Sequence, residues 1–138
     1  MKQEEAIQAI FLQEAREHLE TLSLGLSNIN ITVADHDQSQ EIFRAFFCLK
    51  GGTAILGFSP VYKIVIGLED CFRMVRDNHL SVDSLVQSQF TAVAQVLENL
   101  FTYIGEGDNS QLAEKSSILL EQLKANINHL CQASQPNR

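Results

Sequence analysis

Hydrophobic residues recur along this chain at three- and four-residue spacing, in five stretches separated by short polar breaks. That period puts them on one face of a helix, so the pattern predicts five amphipathic α-helices. The first covers about residues 3–29. Ile7, Ile10, Phe11, Leu19, Leu22, Leu26 and Ile29 form its apolar face, and Glu4, Glu5, Glu14, Arg16, Glu17 and Glu20 its polar one. Residues 32–37 break the period and supply capping side chains, and a second helix follows over about residues 38–56. Gly57-Phe58-Ser59-Pro60 reads as a boundary, with Gly57 as C-terminal cap, Ser59 as N-cap and Pro60 at the first helical position. The third helix, about residues 60–77, buries Val61, Ile64, Val65, Leu68, Phe72 and Val75. After a turn at 78–81, Ser81 or Asp83 caps a fourth helix carrying Leu85, Phe90, Val93, Leu97, Leu100 and Ile104. A loop at 105–109 leads to a fifth, with Leu112, Ile118, Leu119, Leu123, Ile127 and Leu130. Short loops between long amphipathic helices imply antiparallel neighbours. The expected fold is therefore all-α, an antiparallel up-down four-helix bundle with an additional fifth C-terminal helix. Residues 1–133 make the bundle, and 134–138 a tail or the start of a linker.

Composition narrows the function classes. A chain of 138 residues suffices for one core, and 45% hydrophobic with 20% charged residues is ordinary for a globular domain. The net charge of −7, with no basic stripe, argues against nucleic acid and anionic membrane as partners. No apolar run approaches the ~20 residues that span a bilayer. Cys48, Cys71 and Cys131 are odd in number and lack a C-x-x-C spacing, so neither a disulfide framework nor structural zinc is expected. Together with a polar, acidic N-terminus unlike a signal peptide, this suggests a cytoplasmic setting. Glu14, Glu17 and His18 lack the paired Glu-x-x-His spacing of a di-metal bundle, and no metal or other cofactor is expected.

Candidate chemistry concentrates in the second helix, in Ile42-Phe43-Arg44-Ala45-Phe46-Phe47-Cys48-Leu49-Lys50-Gly51-Gly52. At ~100° per residue, Ala45, Leu49 and Leu56 share the inward side, flanked by Ile42, Phe46, Gly52 and Thr53. Phe47 faces the opposite way, together with Phe43, Lys50, Gly51 and Ala54. This stretch resembles the phosphoacceptor signature of histidine phosphotransfer (HPt) domains, in particular that of CheA-type chemotaxis kinases, roughly F-R-x-x-H-S-x-K-G-x. Residues 11–20 resemble the opening helix of the same domains, and Leu68-Glu69-Asp70 resembles their L-E-D; the likeness covers roughly residues 5–130. It implies an HPt-like bundle whose outward face docks a response-regulator receiver domain or a histidine kinase. It also implies that a lysine at the Lys50 position neutralises phosphoryl oxygens and that a glycine at Gly51 lets the partner's backbone approach. In the family the glutamate at the Glu69 position orients the acceptor imidazole.

Three positions depart from the family pattern. Phe47 stands in place of the phosphoacceptor His, Cys48 in place of Ser, and Ile66 where many CheA-type members carry an accessory His. A benzyl side chain cannot be phosphorylated, and electrostatics cannot replace the missing nucleophile. With no imidazole to orient, Glu69 reads as a surface carboxylate paired with Arg73 one turn on. His18, His36, His79 and His129 lie at unrelated positions, and His36 is far along the helix axis from residue 47. Cys48 sits about a quarter-turn from Phe47 and reads as a half-buried packing thiol. The expectation is a pseudo-HPt module that is not an enzyme and has no catalytic residue. Its partner-binding residues are Phe43, Arg44, Phe47, Lys50, Gly51 and Glu69, with Phe43 and Phe47 as an exposed apolar anchor. Two other readings stay open. One is a phosphotransfer-competent HPt domain, using another acceptor residue or carrying Phe47 as an engineered replacement for His. The other is a structural dimerisation bundle. The partner's identity and the oligomeric state are left open.

Overall fold

A computed structural model describes residues 2–103 and 110–133. Six helices follow one another: α1 (Lys2–Leu26), α2 (Ile29–Ala34), α3 (His36–Ile55), α4 (Ser59–Asp77), α5 (Ser84–Thr102) and α6 (Ser110–Ala133). Among the described residues there is no strand. Helices α1, α3, α4 and α5 close a ring in which each packs on the next, and α6 lies outside it against α4 and α5. This is the expected bundle of four helices with a fifth C-terminal one. The loop at 105–109, Ile104 and the tail from 134 lie outside the described residues.

The first loop is where the expectation needs correcting. The initial helix stops at Leu26 rather than Ile29, and residues 29–34 form a short helix of their own instead of a capping break. Two long-range clasps hold that corner. The Gln87 side chain accepts from the Ile29 N–H at 2.8 Å and donates to the Leu26 carbonyl at 2.7 Å. Asn30 grips the backbone of Val82 in both directions, each bond 2.9 Å. Asp35 then caps α3 by accepting from the N–H groups of Asp37 and Gln38, so α3 begins at His36, two residues earlier than expected.

The end of α3 is set by backbone chemistry. Gly57 has φ +74°, the Phe58 N–H donates to Thr53 O at 2.9 Å, and the Gly57 N–H donates to Ala54 O at 3.3 Å. These two bonds make a Schellman cap, with glycine at the position that needs left-handed backbone. The next helix starts at Ser59 with Phe58 as its N-cap, and no side-chain cap is formed, which corrects the reading of Ser59. Helix α4 ends in the same Schellman pattern, through Leu80 N–H to Val75 O and His79 N–H to Arg76 O, but with His79 at φ 52°. Asp83 caps α5 by accepting from the Val86 N–H.

Every apolar residue expected on the third predicted helix is buried in α4. Elsewhere Ile7, Ile10, Leu85 and Ile118 are exposed, against expectation. Phe11 packs against Phe101 near the end of α5, and lies where a Cβ on Gly52 near the end of α3 would fall. The turn before Phe11 therefore runs past both neighbours. Helix α6 turns Ser116, Leu120, Leu123 and Ile127 inward, which leaves Ile118 facing solvent. Close backbone approach recurs at Gly25 against Ile42 and at Gly67 against Leu120. The Gly25–Ile42 and Gly52–Phe11 approaches, at opposite ends, fix α3 antiparallel to α1.

Candidate functional site

Helix α3 presents its outer face beside α4, and the two helices build the site together. Ala45, Phe46 and Leu49 are fully buried on the inner side, which points Phe47 into solvent with 72% of its surface exposed. Gly51 lies on the same outer face, where an added Cβ would meet nothing. Relative to Phe47, Phe43 and Lys50 are turned ~40° and ~60° to one flank, while Arg44 and Gly51 lie on the other. The first flank is the one that meets α4.

That geometry corrects two expectations. Phe43 is half-buried and is no part of an exposed aromatic pair. Its ring packs edge-on against Phe72, with centroids 5.3 Å apart, beneath the guanidinium groups of Arg73 and Arg76 at 4.8 and 4.4 Å. Cation–π attraction of this kind fastens the seam between α3 and α4. Glu69, in turn, is no surface carboxylate. It is only 6% exposed, and its first partner is Lys50, at 2.8 Å, with Arg73 farther off at 3.4 Å. One buried carboxylate thus ties Lys50 of α3 to Arg73 of α4. Glu69 falls four residues after Val65 and three before Phe72, on the flank of the buried stripe, where the approach of α3 decides its burial.

Arg44 remains exposed and pairs with Glu41 at 2.8 Å. Arg44, Phe47, Lys50, Glu69 and Arg73 line one open groove of about 470 Å³. The structure therefore brings all the sequence-derived site residues except Gly51 to that groove's wall, Phe43 included as its half-buried floor. Cys48 is half-buried beside it, as expected of a packing thiol. Cys71, inside the core, has its thiol pushed up to about 12 by burial. His36 and His79 lie in a separate groove with Arg76 and Asp77. Among the described residues no cluster of His, Cys, Asp or Glu could hold a metal ion, and no helix is long and apolar enough to cross a membrane.

Comparison with known proteins decides the family. The family model of the Hpt domain matches residues 6–133. The chain belongs to the Hpt domain family. It is 32% identical over 99 residues to the chemotaxis protein CheA of Listeria monocytogenes, covering 71% of this chain and 16% of that protein. To the chemotaxis protein CheA of Rhizobium meliloti it is 30% identical over 122 residues, 88% of this chain and again 16% of the relative. The chain spans about a sixth of the length of these curated relatives. No solved structure gives a significant match. As an Hpt domain the chain is a module related to two-component phosphotransfer, in a family of carriers rather than catalysts.

Proposed function

We propose that this chain is a pseudo-Hpt module, which binds a receiver domain or a histidine-kinase domain through the face around Phe47 without passing a phosphoryl group. The observation that carries this reading is the exposure of Phe47. A phenylalanine with 72% of its surface in water stands at the centre of the face, amid a lysine, a glycine and a glutamate of the family frame. Its ring offers no lone pair to a phosphorus atom, so the residue can contact a partner but cannot carry the group. Apolar side chains set in a charged rim are the usual anchors of protein interfaces. Phe43, one turn earlier, is packed into the α3–α4 seam against Phe72, and the Lys50–Glu69–Arg73 bridge holds the two helices together beside it.

Two measurements test the reading. Incubation with an active histidine-kinase core and ATP, and separately with phosphorylated receivers, should leave no acid-labile phosphate on the chain; its appearance would sink the proposal. In a pull-down from the source cell, Phe47→Asp should lose the receiver or kinase that the native chain retains. Retention by both forms would move the interface elsewhere.

A further inference from the structure

The α1–α5 seam lies across the ring from the α3–α4 groove, and α6, which covers the α4–α5 seam, leaves it open. A groove of about 440 Å³ runs along it. Leu19 and Phe101 are its buried floor, and Leu12 and Leu24 stand in its walls, Leu24 with 69% of its surface in water. A lone exposed leucine is ordinary, but this one edges a groove whose floor is already apolar. From Leu12 to Leu24 the groove follows α1 for ~18 Å, a little over three helical turns. Charge sets this side of the molecule apart. Helices α1 and α5 carry six glutamates against Lys2 and Arg16, a balance of −4 within the protein's −7. In α3 and α4, five acidic and five basic residues cancel. Within the groove itself Glu20 and Glu98 outnumber Arg16, and among the described residues none of the three enters an ion pair. Arg16 and Glu20 stand one turn apart in the order that pairs less well.

This combination selects among occupants. A second copy would bring a like acidic face against this one, and an anionic membrane is repelled in the same way. A small ligand would leave most of the groove's length uncovered. An extended segment would set unpaired backbone groups against leucine and phenylalanine, and the Thr102 hydroxyl is already turned to the Glu98 carbonyl at 3.0 Å. A helix arrives with its backbone bonds made and lays an apolar stripe into such a groove. We propose that the α1–α5 groove docks an amphipathic helix of a partner protein. Its apolar side chains, at three- and four-residue spacing, sit between Leu12, Leu24 and Phe101, with lysine or arginine beside Glu20 and Glu98. Because this seam faces away from Phe47, the chain can hold that helix and a receiver or kinase at once. Only the bridging rests on the proposed function; the groove stands apart from it.

The test uses the full chain and a labelled synthetic peptide of about four helical turns, with a leucine stripe flanked by lysines. A second peptide keeps the stripe and carries glutamate flanks. In fluorescence anisotropy the lysine peptide should bind about tenfold more tightly than the glutamate one, and amide NMR shifts should centre on Leu24 and Phe101 rather than Phe47 and Gly51. Glu20→Gln/Glu98→Gln should weaken it about tenfold, the scale of two exposed ion pairs, and Arg16→Gln should strengthen it. Leu24→Asn, at an exposed position, should also weaken it. Asp70→Asn/Glu114→Gln, which removes the same charge from α4 and α6, should leave binding unchanged, and so should Phe47→Asp. Binding lost with Phe47→Asp would place the peptide on the other face and overturn the proposal. Equal affinity for the two peptides, equal losses in the two double variants, or no binding of either peptide would overturn it too. A dimer that Leu24→Asn dissolves would give the groove to a second copy instead.

Discussion

At the scale of single residues, the decisive contrast is between Phe47 and Glu69, one far more exposed than its chemistry suggests and the other far more buried. Glu69 is tolerable inside only because Lys50 and Arg73 answer its charge, so removing Lys50 strands a buried carboxylate. Lys50→Met, which keeps the bulk and drops the charge, should destabilise the fold by about 1–3 kcal/mol in urea unfolding. An unchanged midpoint would mean that Arg73 alone suffices. The sequence revealed the outward direction of Phe47, because helical periodicity fixes which way a side chain leaves the axis. It did not reveal the burial of Phe43 and Glu69. Both lie on the flank of their helix, and burial there depends on how closely a neighbouring helix approaches, which one helix's pattern does not encode.

At the scale of elements, the helix ends separate what local sequence dictates from what it does not. Gly57 was legible because left-handed backbone selects glycine. His79 occupies the same position at the end of α4 without that freedom, at φ 52°. His79→Gly should relieve the strain of a left-handed residue bearing a Cβ and raise stability by about 1 kcal/mol in thermal or urea unfolding. At the start of α3 the backbone N–H and then the side chain of Gln38 hold the Asp35 carboxyl below its ordinary value of 3.8. A lowered folded value means that the unfolded chain binds the proton first. The cap's stabilisation is therefore complete above the ordinary value and drains away as pH falls through the lower folded one. Native protein should lose ground to Asp35→Asn as urea midpoints are taken from neutral pH to about pH 3, and parallel curves would contradict the assignment. Helix α2 was hidden for another reason. Its first N–H donates to the Gln87 side chain and its Asn30 side chain clasps the backbone of Val82, partners more than fifty residues away in sequence, and such clasps leave no local trace.

At the scale of the whole molecule, bundle and core were the most legible part. The apolar stripe of α4 is buried throughout, and the misjudged Ile7, Ile10, Leu85 and Ile118 lie where a helix overhangs its neighbours, begins, or turns outward. Cys71 reports on the integrity of that core. With its thiol pushed up to about 12 by burial, it should resist iodoacetamide in native buffer, and its alkylation should rise with urea in step with global unfolding. Rapid alkylation of the native protein would indicate a local opening between α4 and its neighbours. The Lys50–Glu69 bridge has a last consequence, in the history of such a domain. Because the buried carboxylate is satisfied by a lysine on the adjoining helix, no part of the scaffold leans on the side chain at position 47. Exchange of the residue at 47 thus costs the fold little. A carrier and a decoy can therefore be evolutionary neighbours on one architecture.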